Sequence, residues 1–258
     1  MKILVKLGGT LLDAVEGRER LTRELAAVAK KVEMVVVHGG GKQMTRFLAE
    51  RGVESKFVDG LRVTTPEVVD AVLKVFAGTV NHELVASFVK AGARAVGLTG
   101  IDANIATARQ LREDLGAVGQ VTHSNGDVLH LLASHGFLPV VACVAGDEQG
   151  RIYNVNADQM AVACAAGFGA DRLFFLTDVD GVKGAEGLIP VLTPAGCQKL
   201  IADGIATGGM QAKLNAACDG LAQGVGEVII VPGARAGVVE SLLDGEAIGT
   251  RLVRESGA

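Results

Sequence analysis

The chain has 258 residues, about half of them apolar, and a formal net charge of −4. That is long enough for a large core, and the acidic balance gives no electrostatic footing for nucleic acid. No uninterrupted apolar stretch approaches the ~20 residues a membrane span needs, and the N-terminus reads straight into a strand with no signal-peptide core.

Apolar runs of strand length alternate with helical patterns almost to the C-terminus. In chain order the sequence predicts a strand at Ile3–Leu7, a helix at Leu21–Lys31, a strand at Met34–His38 and helices at Lys42–Arg51 and Pro66–Ala91. Strands follow at Ala95–Leu98 and Leu138–Val144, a helix at Ala157–Ala166, a strand at Leu173–Thr177, a helix at Met210–Gln223 and a strand at Glu227–Val231. Two hairpin-like interruptions fall at Gln110–Asn125, with a turn at Thr122–Asp127, and at Ala145–Arg151. This alternation predicts an α/β fold, a three-layer αβα sandwich with a mostly parallel, open central sheet. No Pro/Ser-rich linker occurs, so residues 1–258 are expected to form one domain. A softer division near Gly169–Arg172 predicts two lobes, 1–170 and 171–258, that share the sheet and leave a cleft at its carboxyl edge.

Two strands run directly into glycines: Lys6-Leu7-Gly8-Gly9 and His38-Gly39-Gly40-Gly41. Turns without side chains let backbone N–H groups approach an anion beside the positive end of the next helix. Neither turn is a Walker A loop or a dinucleotide fingerprint, and no nucleophile elbow, zinc motif or kinase catalytic loop is present. The cysteines Cys143, Cys164, Cys197 and Cys218 lack metal-site spacing, so free thiols in a reducing cytoplasm are expected.

The remaining polar features each have a structural explanation beside a functional one. Lys6, near the end of an apolar strand, could be an edge lysine, but the glycines that follow open room for a ligand. Asn154-Val155-Asn156-Ala157-Asp158-Gln159 reads as a helix cap, with Asn156 as N-cap and Asp158 favoured by the helix dipole. Asp178-Val179-Asp180-Gly181-Val182-Lys183 is an acidic turn that could hold a nucleotide. Thr207-Gly208-Gly209-Met210-Gln211-Ala212-Lys213 puts a lysine in the first turn of the predicted helix, unfavourable by ~0.3–1 kcal/mol unless an anion shares the site.

Taken in order, these segments, with Gly60-Leu61-Arg62-Val63-Thr64, resemble the amino-acid kinase superfamily across essentially the whole chain. Within it they resemble the branch that phosphorylates N-acetyl-L-glutamate in arginine biosynthesis. The resemblance implies that Lys6 and Lys213 neutralise the transferring phosphoryl group, with Asp158 holding both lysines. It implies that Gly8, Gly9, Gly40 and Gly41 supply backbone donors, and that Arg62 and Asn154 hold the α-carboxylate of acetylglutamate. Asp178, Val179, Asp180, Gly181, Val182 and Lys183, with Ile205, Ala206 and Thr207, would line the ATP site. No protein metal ligand is implied; Mg²⁺ would accompany ATP. Residues 1–170 would be the acyl-amino-acid and dimerisation lobe, and 171–258 the ATP lobe. The chain starts at its first strand, without the N-terminal helix of hexameric, arginine-sensing relatives, so a homodimer without strong arginine feedback is expected. Rival readings are a kinase for a longer substrate such as acetylaminoadipate, and a non-catalytic amino-acid sensor. Both lysines speak against the sensor, which would be expected to lose one. A dinucleotide oxidoreductase lacks its glycine fingerprint.

Overall fold

The computed structural model describes residues 1–254; residues 255–258 of the expected ATP lobe lie outside the described residues. In chain order the strands are β1 (Lys2–Leu7), β2 (Glu33–His38), β3 (Phe57–Val58), β4 (Leu61–Arg62), β5 (Ala95–Thr99), β6 (Ala106–Gln110), β7 (Val118–Ser124) and β8 (Leu138–Ala142). They continue as β9 (Val144–Gly146), β10 (Ile152–Val155), β11 (Arg172–Thr177), β12 (Lys183–Gly184), β13 (Gly187–Leu188), β14 (Val191–Leu192), β15 (Glu227–Pro232) and β16 (Thr250–Leu252). The helices are α1 (Val15–Val28), α2 (Gly41–Ala49), α3 (Pro66–Val72), α4 (Asn81–Lys90), α5 (Asp127–Ser134), α6 (Ala157–Phe168), α7 (Pro194–Ala202), α8 (Gly208–Ala222) and α9 (Val238–Leu243).

An eight-stranded sheet runs β14-β16-β15-β11-β1-β2-β8-β5. Every adjacent pair from β15 to β5 is parallel, and the chain reverses only where β16 joins β15. The inner strands are buried along nearly their whole length, which is why they read as mostly apolar runs rather than alternating patterns, with Lys6 in β1 as an exception. The helices fall into two contacting sets, α1 with α4 and α9, and α5 with α6 and α8, which cover the two faces of the sheet. β6, β7, β9 and β10 close into a small barrel beside it. Strands from the first part of the chain lie on one side of the β1/β11 pairing and strands from the last part on the other. Because β1, β2 and β11 are parallel neighbours, the loops that follow them open on one edge, where the strand order departs from chain order.

Several boundaries differ from the sequence expectations. The first helix starts at Val15 rather than Leu21, and the predicted strand 138–144 divides at Cys143, its last part joining the barrel. The turn expected at Thr122–Asp127 is strand up to Ser124. α5, α7, α9, the edge strand β14 and its neighbour β16 are too short for a strong periodic signal, and they form because the sheet gives their apolar residues a surface. The predicted helix 66–91 is continuous but passes through a π-helical stretch, Leu73–Val80. Among the described residues this 66–90 run alone is long and apolar enough to cross a bilayer by composition. Here it packs on β5, β8 and α1 as a core helix.

Candidate active site

Three parallel strands deliver the site. At the end of β1, Lys6 keeps only 8% exposure, and its backbone pairs with Val37 on one side and Phe175 on the other. Asn156 caps α6 as expected, its Oδ1 accepting from the N–H groups of Asp158 (2.9 Å) and Gln159 (3.3 Å). That cap aims Asp158 back over the β1 end. Lys6 Nζ stands 2.7 Å from Asp158 Oδ1, and Lys213 Nζ lies 2.9 Å from Oδ2. One carboxylate thus gathers two ammonium groups that are 207 positions apart in the chain.

Burial of Asp158 opposes its ionisation, but Lys6 and then Lys213 outweigh that effect and hold its pKa down to about 2. It is a permanent anion and a poor general base. Burial, with a contribution from Lys6, pulls the Lys213 pKa below its ordinary value, while Asp158 and Asp178 act the other way. Two ammoniums against one carboxylate leave the cluster with a surplus positive charge for an anion.

The two glycine turns abut. A methyl group on Gly9 would stand 3.3 Å from the Gly41 nitrogen and 3.7 Å from the Gly40 nitrogen, so the bare backbone leaves the space in front of those N–H groups open. Gly40 itself has extended backbone; what requires glycine there is the Phe76 ring, 2.9 Å from where a Cβ would sit. Gly8 is tied by its N–H to the Leu176 carbonyl at 3.0 Å, which joins this turn to β11. α2 begins at Gly41 with Met44 N–H donating to Gly40 O at 2.8 Å, so the preceding N–H groups have no intrahelical acceptor.

A cavity of about 160 Å³ adjoins these turns, lined by Gly40, Gly41, Phe57, Arg62, Asn154 and Ala157 among others. Arg62 comes from the β3–β4 hairpin and is 8% exposed. It donates to Gly41 O at 3.2 Å, to Thr45 Oγ1 at 2.8 Å and to Ser55 Oγ, with the Phe57 ring 4.7 Å away. These contacts aim the guanidinium at the cavity. Asn154 donates to Thr64 Oγ1 at 3.1 Å, and the Thr64 hydroxyl donates to Arg62 O at 2.9 Å. Thr64 stood in the quoted segment with Arg62, whereas Ser55 and Thr45 were not legible as site residues, since hydroxyls are common and only folding brings them to Arg62.

On the other side of the β1 end, the loop after β11 carries the expected nucleotide residues. Asp178, Asp180 and Lys183 are exposed, whereas Val182 is buried with its N–H donating to Thr250 Oγ1 at 2.8 Å. Gly181 is buried at φ +145°, pressed against Leu188 and Thr250. Ile205 is exposed, Ala206 buried and Thr207 at the N-cap of α8. Both backbone groups of Val182 are engaged, its N–H by Thr250 and its carbonyl by Ile189 N–H at 2.9 Å, so Val182 shapes the loop from within. α8 begins at Gly208, two residues before the predicted start, which puts Lys213 in its second turn. The first-turn dipole argument for Lys213 is thereby corrected; its surroundings are set by Asp158 and the Phe175 ring, 5.4 Å from Nζ. Among the described residues no group of three or more His, Cys, Asp or Glu is placed to hold a metal ion.

An open α/β edge with two glycine turns and paired lysines is built to receive an anion, and residues 1–232 match the amino acid kinase family. The chain belongs to that family. It is 62% identical over 255 residues to an acetylglutamate kinase from Solibacter usitatus (strain Ellin6076), covering 98% of this chain and 99% of that protein. A structure from Streptococcus mutans UA159 matches with a TM-score of 0.81 at 27% identity, covering 98% of both chains. The N-acetylglutamate synthase of Neisseria gonorrhoeae, solved with coenzyme A and N-acetyl-glutamate, matches with a TM-score of 0.88 at 24% identity. That alignment covers 99% of this chain and 60% of the synthase chain, and the likeness is one of fold.

Proposed function

We propose that the protein transfers the γ-phosphoryl group of ATP to the side-chain carboxylate of N-acetyl-L-glutamate, giving N-acetyl-L-glutamyl 5-phosphate in arginine biosynthesis. The observation that carries this reading is the Lys6–Asp158–Lys213 cluster beside a small cavity with an inward arginine. A carboxylate with a pKa of ~4.3 is already ionised at neutral pH. One of its oxygens attacks the γ-phosphorus, the bond to the β,γ-bridging oxygen breaks, and ADP leaves with that electron pair. No proton moves, which agrees with an Asp158 that stays anionic.

The obstacle is repulsion between the acceptor and a polyanion. In this reading Lys6 and Lys213 bear on the phosphoryl oxygens, and the N–H groups of Gly9, Gly40 and Gly41 add fixed dipoles. Asp158 keeps both ammoniums in place. Arg62 takes the α-carboxylate in its planar fork, with Asn154 beside it. The loop 178–183, Gly8 and residues 205–207 would receive the nucleotide. Mg²⁺ would enter on the ATP phosphates, where it is usually held with most of its own water.

Residues 1–170 would then form the acyl-amino-acid lobe and 171–258 the nucleotide lobe. The unpaired, partly exposed edge of β5 offers a place for two copies to associate as a homodimer, and the free buried thiols fit the cytoplasm. Trapping the product with hydroxylamine tests the reaction. Hydroxamate should form from acetylglutamate and ATP, and less from acetylaminoadipate; no hydroxamate from acetylglutamate would end this reading.

A further inference from the structure

Two buried polar side chains beside the glycine turn have no part in the chemistry above. His38, the last residue of β2, is fully buried, and Asn81, the first residue of α4, is 2% exposed. His38 Nδ1 is 2.8 Å from Gly39 O, and Nε2 is 2.9 Å from Asn81 Nδ2, which also lies 2.9 Å from Val140 O. Both ends of this chain are backbone carbonyls, which only accept. Val140 O therefore requires the amide NH₂ of Asn81 on its side, and that NH₂ makes His38 Nε2 an acceptor. Gly39 O requires a proton on Nδ1. The two demands agree on a single neutral tautomer, and an imidazolium would turn a proton toward the Asn81 NH₂. Burial acts in the same direction, holding the imidazole pKa down to about 4.

We propose that His38 and Asn81 are positioning residues whose one-way hydrogen-bond relay locks the Gly39–Gly40 peptide with the Gly40 N–H facing the transferring phosphoryl group. The inference rests on the phosphoryl-transfer reading of this site. In a trans peptide the C=O and the next N–H point in opposite directions, so an imidazole that holds Gly39 O fixes Gly40 N–H on the far side. The Gly40 nitrogen lies beside the Gly9 turn, 3.7 Å from where a Cβ on Gly9 would stand. Without a partner a Gly-Gly peptide rotates easily, because neither residue has a Cβ to resist it. The π-helical stretch completes the clamp. Phe76 and Val80, both within it, press on Gly40, while Asn81 directly after it reaches His38. Gly97 on β5 is glycine for the same cause, since a Cβ there would collide with Asn81 Oδ1.

The test has one arm independent of activity. ¹⁵N spectra of the full chain labelled at histidine, with His38 assigned by its loss in His38→Gln, should show a neutral ring protonated at Nδ1 at neutral pH. A ring protonated at Nε2, or at both nitrogens, overturns the relay. Asn81→Ala leaves Gly39 O to hold the Nδ1 proton but takes the donor from Nε2, so the Nε2 shift should move toward that of an unbonded nitrogen; an Nε2 shift unchanged in that variant removes Asn81 from the relay. The second arm compares two His38 variants at saturating ATP and acetylglutamate. Asn at position 38 places its NH₂ where Nδ1 stands and can still hold Gly39 O, whereas Gln reaches toward Asn81 and leaves that carbonyl unpartnered. His38→Asn should keep kcat within about fivefold of wild type, and His38→Gln should lose roughly tenfold or more, as expected when a preorganised donor is released. Equal losses in the two variants, or none in His38→Gln, overturn the inference. A wild-type protein without kinase activity would instead end the reading of the site, leaving the tautomer to be decided by the spectra.

Discussion

Replacing Asp158 with asparagine tests the centre of the site most directly. The side chain is 13% exposed and touches both lysines. A carboxyl held at about 2 instead of 3.8 corresponds to about 2 kcal/mol of native-state stability at neutral pH. Because the folded pKa is the lower one, this stability is complete above the unfolded value and disappears as pH falls from about 4 to about 2. Asp158→Asn removes it at pH 7 and leaves two buried ammoniums facing each other. Removing one partner from a buried ion pair costs about 3–5 kcal/mol, so a loss of about 3 kcal/mol is expected. At about 2–4 °C per kcal/mol for a chain of this size, the Tm should fall by about 6–12 °C. Inorganic tripolyphosphate should restore more stability to the variant than to wild type, because it supplies the missing negative charge. Urea and thermal denaturation with and without tripolyphosphate measure both effects. A variant as stable as wild type at pH 7, or one no more responsive to the polyanion, would refute the reasoning.

Four further substitutions separate the roles. Lys6→Ala and Lys213→Ala should each lower kcat by about a hundredfold or more with the KM for acetylglutamate within severalfold, because their interactions strengthen as charge develops; a dominant KM effect in steady-state kinetics would misassign them. Arg62→Ala removes a charged hydrogen-bond donor of about 1.5–3 kcal/mol and should raise that KM about ten- to a hundredfold with little change in kcat; a kcat effect alone would contradict it. Gly9→Ala places its methyl 3.3 Å from the Gly41 nitrogen, in the space assigned to substrate oxygens, so kcat should fall at least about tenfold while circular dichroism stays native. Full activity in Gly9→Ala would mean that nothing binds in front of that turn.

The inner strands were legible because both faces of the sheet are covered, so β1, β2 and β11 had to be apolar runs, interrupted only by Lys6 in β1, that end at the glycines and at Thr177. The α6 cap was legible too, since Asn156 bonds within three residues of itself. Local chemistry of this kind is written in adjacent letters. The meeting of Lys6, Asp158 and Lys213 depended on where α6 and α8 pack, and the start of α8 at Gly208 moved Lys213 out of the first turn where sequence placed it. The hydroxyls around Arg62 and the His38–Asn81 relay were invisible for a plainer reason. Ser55 and Thr45 lie 7 and 17 positions from Arg62, and Asn81 lies 43 from His38 and 59 from Val140, and a serine or asparagine carries no mark of which distant carbonyl or imidazole it will face. Periodicity and glycine turns thus determined the sheet and its anion-ready edge, while tertiary packing alone decided which charges share a carboxylate and which way a buried proton points.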